Sequence, residues 1–296
     1  ALLSPGARIA AIAPASRYPI DARDRGLEQL RAWGYTPVVP EGTLDPVRSL
    51  AASDEVRLRH LQQALDDPDI DAIWAIRGGY GVTRILDRIN WSTAQPKPVF
   101  GFSDLTPLLD QVARRLGAPA VHGPVLTSLA SSDAATLSWL RDLLNGTPHS
   151  PLVGTSWVPG IAEGPVVGGN LCLLAATCGT AAQLDATGAI VVLEEIGEPA
   201  YRVDRMLQQC RSAGVFDGIA GVALGSFTDC HAPADQGWDI NDVLRDHLLG
   251  LGVPVLADLP IGHAPANRAF VVRSHARIAA DSLHLGAEVA RRSPAA

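Results

Sequence analysis

The chain has 296 residues, 47% of them hydrophobic and 19% charged, which is enough apolar material for two cores or one large one. Its net charge is −7, lysine is nearly absent, and there is no Lys/Arg-rich run. That balance excludes the electrostatic footprint of a nucleic-acid or anionic-membrane partner.

No apolar run approaches the roughly 18 residues of a membrane span. The first 16 residues are apolar but broken by Pro5, Gly6, Arg8 and Pro14, so they do not read as a signal peptide. Cys172, Cys178, Cys210 and Cys230 form no C-x-x-C pair and read as free thiols of a reducing compartment. The expected location is the cytoplasm.

Arg8–Ala13 reads as a buried strand opening into a loop at Pro14. Asp21–Trp33 has helical spacing and stops at Gly34, and Thr36–Val39 is a second strand. Ser53–Leu65 is a helix capped by Ser53, with Val56, Leu58, Leu61 and Leu65 recurring; His60 on it reads as a surface residue. Asp71–Ile76 is a third strand, running into Arg77-Gly78-Gly79-Tyr80-Gly81, with a helix expected from Val82. Such a glycine-rich loop can present backbone N–H groups to an anion, and it equally fits a tight turn.

Pro98–Phe102 is a fourth strand. It breaks at Ser103 and restarts as a helix, with Thr106-Pro107 as the expected Ncap–N1 pair. Ser103 stands upstream of that cap and is not needed for it. A serine at a strand-to-helix turn has the exposure and the neighbouring amides that a nucleophile requires. Leu105 stands where G-x-S-x-G would have its second glycine, so the hydrolase elbow does not apply.

A fifth strand ends at His122, and a helix over 137–144 closes at Asn145-Gly146. The alternation predicts a parallel sheet with helices on both faces, whose site-bearing loops follow the strands' carboxyl ends. Residues 146–164, with four glycines, three prolines and no period, read as a linker. The expected domains are therefore 1–145 and 165–296. In the second, strands near 189–193, 218–224 and 253–257 alternate with helices near 171–178, 203–213 and 241–249, and two short strands finish the fold.

A serine nucleophile needs a base and an acid that orients it. His122 and His263 each follow a strand beside a glycine, and the residues alone do not separate them. Glu194 closes a buried strand and is the best acid, with Glu195 on the opposite face. No metal-ligand spacing or cofactor motif is present, so neither a metal nor a cofactor is expected.

Three stretches then coincide: Arg77-Gly78-Gly79-Tyr80-Gly81 with Arg84-Ile85-Leu86, Gly101-Phe102-Ser103-Asp104-Leu105-Thr106, and Pro260-Ile261-Gly262-His263 with Asn267. His122-Gly123-Pro124, Gly168-Gly169-Asn170-Leu171, and Leu193-Glu194-Glu195 with Tyr201, Asp204 and Arg205 support them. Together these resemble the L,D-carboxypeptidases (muramoyltetrapeptide carboxypeptidases), whose relatives include microcin C self-immunity proteins. The resemblance covers about residues 6 to 270.

It implies a triad of Ser103, Glu194 and His263, in an order spaced by 91 and then 69 positions. It implies a flavodoxin-like N-terminal α/β domain carrying Ser103. A smaller, swivelling-type C-terminal α/β domain would carry Glu194 and His263, with the site at the domain interface, often in a homodimer. The expected oxyanion donors are the N–H groups of Gly79 and Asp104. Arg77, Tyr80, His122 and Asn170 are expected to contact substrate, Arg77 from its charge. The implied substrate is a muropeptide tetrapeptide losing its terminal D-Ala. The rivals are an immunity-type hydrolase of peptidyl- or aminoacyl-nucleotide amides and a non-catalytic small-ligand binding protein.

Overall fold

The computed structural model describes residues 1–235 and 237–289. Residues 290–296, the end of the expected C-terminal domain, and Gln236 lie outside the described residues. The chain divides into two compact units, the first covering Ala1–Pro148 and the second beginning at His149.

The first unit runs β1 (Arg8–Ile12), α1 (Ile20–Ala32), β2 (Thr36–Val38), α2 (Asp54–Asp66), β3 (Ala72–Ala75), β4 (Val99–Gly101), α3 (Thr106–Leu116), β5 (Ala120–His122), α4 (Leu126–Leu129) and α5 (Ala134–Asn145). Their pairings give a parallel order β2-β1-β3-β4-β5. β3, β4 and β5 are buried throughout, as expected of parallel strands covered on both faces. Trp74 on β3 stacks on Phe100 of β4 with ring centroids 4.1 Å apart, which locks the two site-bearing strands side by side.

Local sequence explains the helix ends. The Ser53 hydroxyl accepts from Val56 N, α3 stops at left-handed Gly117, and α5 stops at left-handed Gly146.

Four expectations, three in this unit and one at its junction with the second, are corrected. His60 is buried, because Arg57, His60, Leu61 and Ala64 share the inward face of α2, and burial pulls its imidazole pKa down. The helix expected from Val82 is two single 3-10 turns, Val82–Arg84 and Leu86–Arg88. Thr106 is the first residue of α3 rather than its cap, because a 3-10 turn over Ser103–Leu105 already leads into the helix. Residues 146–164 are not a bare linker. They hold β6 (Leu152–Val153), β7 (Thr155–Val158) and the start of β8 (Ile161–Asn170), with Pro151, Gly154, Pro159 and Gly160 flanking the strands.

The second unit continues with α6 (Leu171–Ala176), β9 (Ile190–Ile196), α7 (Ala200–Ser212), β10 (Gly221–Thr228), α8 (Ile240–Leu248), β11 (Val255–Ala257), β12 (Phe270–Val271), β13 (Ser274–Ala279) and β14 (Ser282–Val289). Its sheet is mixed, in the order β6-β14-β13-β8-β9-β10-β11-β7. β8 to β11 are parallel and the flanking pairs antiparallel. The edge strands β6 and β7 are separated in sequence by Gly154 alone, so the sheet curls towards a barrel. Leu171, Leu174, Val191, Leu193, Val203, Leu207, Val222 and Leu244 form the core between sheet and helices. Among the described residues no helix is long and apolar enough to cross a membrane.

Candidate active site

The β4 strand delivers Ser103 in an unusual backbone state. Ser103 has φ 59°, a left-handed conformation that an L side chain rarely adopts and that is held only where its surroundings fix it. The chain then tightens: Leu105 N donates to Phe102 O at 3.2 Å and Thr106 Oγ1 donates to Ser103 O at 2.7 Å. Neither the turn nor α3 uses a side-chain cap, so the Ser103 hydroxyl is not spent on starting the helix.

The glycine-rich loop after β3 lies directly against this turn. A Cβ at Gly78 would meet Phe102 O at 2.8 Å and Ser103 Cβ at 3.1 Å, so only glycine fits there. Gly79 and Gly81 have φ of 100° and 129°. Asp104, the residue after Ser103, is buried, and its Oδ2 accepts from Val82 N at 2.8 Å. Burial pushes the Asp104 carboxyl pKa up, against the downward pull of the Val82 and Gly81 amides and of Arg57. Ser16, in the loop after β1, donates its amide to Gly78 O at 3.2 Å, and its hydroxyl accepts from Tyr80 N at 2.9 Å. Among the described residues the amides of Gly79 and Asp104 are given no protein acceptor.

In the second unit, β9 runs through Ile196, so Glu194 is inside the strand rather than at its end. Its side chain is 0% exposed, and Oε2 lies 2.7 Å from His263 Nδ1, whose side chain is 17% exposed. Two glycines make room for this carboxylate. A Cβ at Gly225 would meet Glu194 Cβ at 3.3 Å, and one at Gly262 would meet Glu194 Cβ at 3.1 Å and Oε2 at 3.2 Å. Asn267 Oδ1 accepts from Gly262 N at 3.1 Å and fixes the turn that carries His263.

The remaining candidates divide. Arg77 and Tyr80 are exposed, and Arg77 Nη1 donates to Arg17 O at 2.8 Å. His122 is 0% exposed, beside Gly101 in the sheet, with its ring edge-on to Phe102 at 5.0 Å. Asn170 is buried and caps α6: its Oδ1 accepts from Leu173 N, and its Nδ2 donates to Glu195 Oε1 at 3.0 Å. Glu195 is buried as well, accepts from Cys172 N at 2.8 Å, and has its carboxyl pKa raised by that burial. Glu195 thus ties α6 to β9, while Glu194 holds the histidine.

Sequence reasoning missed Ser16 and Arg57, which grip the glycine-rich loop. The signal for Arg57 was present: it lies one turn before Leu61 on the apolar face of α2. Among the described residues no three His, Cys, Asp or Glu are grouped to hold a metal ion.

Comparison with known proteins finds a family match in each unit of the chain. Residues 9–123 match the LD-carboxypeptidase N-terminal domain, and residues 163–278 match the LD-carboxypeptidase C-terminal domain. A putative carboxypeptidase of Synechocystis sp. is 39% identical over 283 residues, 95% of this chain and 94% of that one. The murein tetrapeptide carboxypeptidase of Pseudomonas aeruginosa is 36% identical over 278 residues, 89% of this chain and 90% of that one. Among solved structures, muramoyltetrapeptide carboxypeptidase from Oxalobacter formigenes superimposes with a TM-score of 0.79 at 30% identity, covering 94% of this chain and 97% of that one. Microcin C7 self immunity protein superimposes with a TM-score of 0.85 at 20% identity, covering 98% and 99%, a likeness of fold.

Proposed function

The chain belongs to the LD-carboxypeptidase family, and from that premise we propose that it is a serine-type L,D-carboxypeptidase releasing the terminal D-Ala of murein tetrapeptides. The observation that carries the mechanism is the buried Glu194 carboxylate, 2.7 Å from His263 Nδ1. An acid so placed holds the imidazole with its proton on Nδ1, so that Nε2 is the nitrogen that accepts a proton, and it stabilises the imidazolium once formed.

In this reading His263 Nε2 takes the Ser103 hydroxyl proton as Oγ attacks the carbonyl of the L-centre. The N–H groups of Gly79 and Asp104 receive the oxyanion, each worth roughly 3–4 kcal/mol in the transition state. His263 returns the proton to the leaving D-Ala amine, and water then resolves the acyl-enzyme by the same route. Arg77 is the proposed partner of the substrate carboxylate, and Tyr80 lines the same loop. For His122 and Asn170 burial supports an indirect part, behind Phe102 and at the α6 cap respectively.

We read the first unit as flavodoxin-like, supported by its strand order 2-1-3-4-5. The second reads as the swivelling-type domain, carrying the acid and base from 165 onwards. A cytoplasmic homodimer is the accompanying proposal and rests on the family resemblance; sedimentation equilibrium of the whole chain tests the dimer.

The deciding experiment is D-Ala release from defined tetrapeptides by wild type and Ser103→Ala, beside cleavage of an aminoacyl-sulfamoyl adenosine. Wild-type turnover in Ser103→Ala overturns the nucleophile. Preferential cleavage of the adenosine conjugate overturns the substrate in favour of an immunity-type hydrolase.

A further inference from the structure

The glycine-rich loop is gripped from behind by one buried cation. Arg57 on α2 is 2% exposed. Its Nη1 donates to Pro14 O, in the loop after β1, and to Gly81 O at 3.0 Å. Its Nη2 meets Asp54 Oδ1 at 2.5 Å, and Asp54 also accepts Nε and Nη2 of Arg84 at 3.0 and 2.6 Å. Arg57 Nε has no hydrogen-bond partner among the described residues.

A guanidinium buried this way is a poor route to stability, because its desolvation offsets much of the ion-pair attraction, and an apolar side chain of similar size packs as well. What only a guanidinium supplies is a rigid fork of donors that reaches two backbone carbonyls and one carboxylate together. Both carbonyls sit in loops at the carboxyl ends of adjacent strands, β1 and β3.

The loop needs such a hold. Three glycines between 78 and 81 leave its backbone free to sample many conformations. Each peptide around Gly79 is nonetheless tied down: Gly78 O by Ser16 N, Tyr80 N by Ser16 Oγ, Gly81 O by Arg57 and Val82 N by Asp104. Gly79 N–H, between these anchored groups, has no protein acceptor among the described residues, and neither has Gly78 N–H.

We propose that Arg57, with Asp54 as its counter-ion, is a positioning residue for catalysis that preorganises the Gly79 N–H as an oxyanion donor by anchoring the loop through Gly81 and Pro14. This rests on Ser103 being the nucleophile. A purely structural Arg57 would alter how many molecules are folded but not the turnover of each competent site.

The test uses the full chain with Arg57→Met and Arg57→Lys. A serine-directed phosphonate, run to its endpoint, counts competent Ser103, and its labelling rate reports oxyanion stabilisation. Expected for Arg57→Met is kcat per titrated site down roughly 10- to 100-fold, with KM within about threefold and labelling slowed in proportion, less than the full loss of one donor. Arg57→Lys, which reaches fewer of the three acceptors, should fall between Met and wild type, and millimolar guanidinium should partly restore Arg57→Met. Wild-type kcat per titrated site in Arg57→Lys and in whatever Arg57→Met folds overturns the proposal. A Ser103→Ala variant with wild-type turnover is a different result: it overturns the nucleophile assignment and, with it, this inference.

Discussion

Glu194 Oε2 and His263 Nδ1 stand 2.7 Å apart on a carboxylate with no exposure to water. Glu194 Oε1 has no hydrogen-bond partner among the described residues. An ionisable side chain placed so deep, with a single strong interaction, is an expensive way to hold a turn. Two glycines, 225 and 262, are needed to give it space. The arrangement suits the proposed role of Glu194, to orient the His263 imidazole and face the imidazolium that the proposed mechanism forms.

Glu194→Gln tests that device. The amide nearly matches the carboxylate in shape but can present N–H to Nδ1, which favours the wrong tautomer and removes the charge facing the imidazolium. The kcat for D-Ala release should fall about 10³- to 10⁴-fold with little change in KM. Steady-state kinetics measure the loss, and ¹⁵N shifts of the His263 ring should show the proton leaving Nδ1. An unchanged kcat would remove Glu194 from the mechanism.

Gly78→Ala probes the contact between the glycine-rich loop and the Ser103 turn. The added methyl would stand 2.8 Å from Phe102 O, closer than packed atoms tolerate, and a tight 3.1 Å from Ser103 Cβ. One of the two loops must shift, at a cost of about 1–3 kcal/mol. Denaturant unfolding should register the loss, and kcat should drop because the shift displaces Ser103 or the amides beside it.

Ser103→Gly and Ser103→Ala should separate strain from chemistry. Both remove the hydroxyl, and both should abolish turnover. Glycine adopts φ 59° without steric cost, whereas alanine carries the same strain as serine. The glycine variant should therefore be more stable than the alanine variant by ~0.5–1 kcal/mol, read as a higher midpoint in urea. Equal midpoints would mean that the left-handed turn is not strained.

Much of this was legible in the sequence for definite reasons. The parallel core of the first unit could be read because β1, β3 and β4 are short, continuous apolar runs bounded by Pro and Gly. Ser103 and Glu194 stood out because each follows or closes such a run, whereas His263 was separated from His122 only by the family resemblance. The illegible parts depend on long-range packing. Arg57 and His60 share the apolar face of α2 with Leu61, but what that face packs on, and so which loop Arg57 reaches, is set by the seating of α2 on the sheet. β6 and β7 carry Pro and Gly at their ends and gain strand character only by pairing with β14 and β11, remote in sequence. His122 resembled a site residue by position, and its burial beside Phe102 becomes visible only when β5 pairs with β4.

Asp104 should make stability fall with rising pH. Burial raises its carboxyl pKa in the folded state. Between the unfolded value of about 4 and that raised value the folded state binds more protons, so stability declines as pH increases through this window. Asp104→Asn removes the titration. Thermal melts at several pH values should show the wild type losing ground to Asp104→Asn as pH rises from about 4, on top of a constant offset for the lost acceptor. A difference that does not vary with pH would mean that Asp104 titrates alike folded and unfolded.

Asp54 should act in the opposite sense. Hydrogen bonds from Arg84 and then Arg57 lower its carboxyl pKa to about 2. Its contribution is complete above the unfolded value of about 4 and disappears as pH falls through about 2, because the unfolded state takes up the proton first. The melting temperature of wild type should exceed that of Asp54→Asn at neutral pH, and the gap should close as pH is lowered from about 4 towards 2. Because Asp54 neutralises Arg57 behind the glycine-rich loop, phosphonate labelling of Ser103 should slow in Asp54→Asn at neutral pH, where the protein remains folded. Labelling at the wild-type rate would mean that the ion pair serves the fold alone.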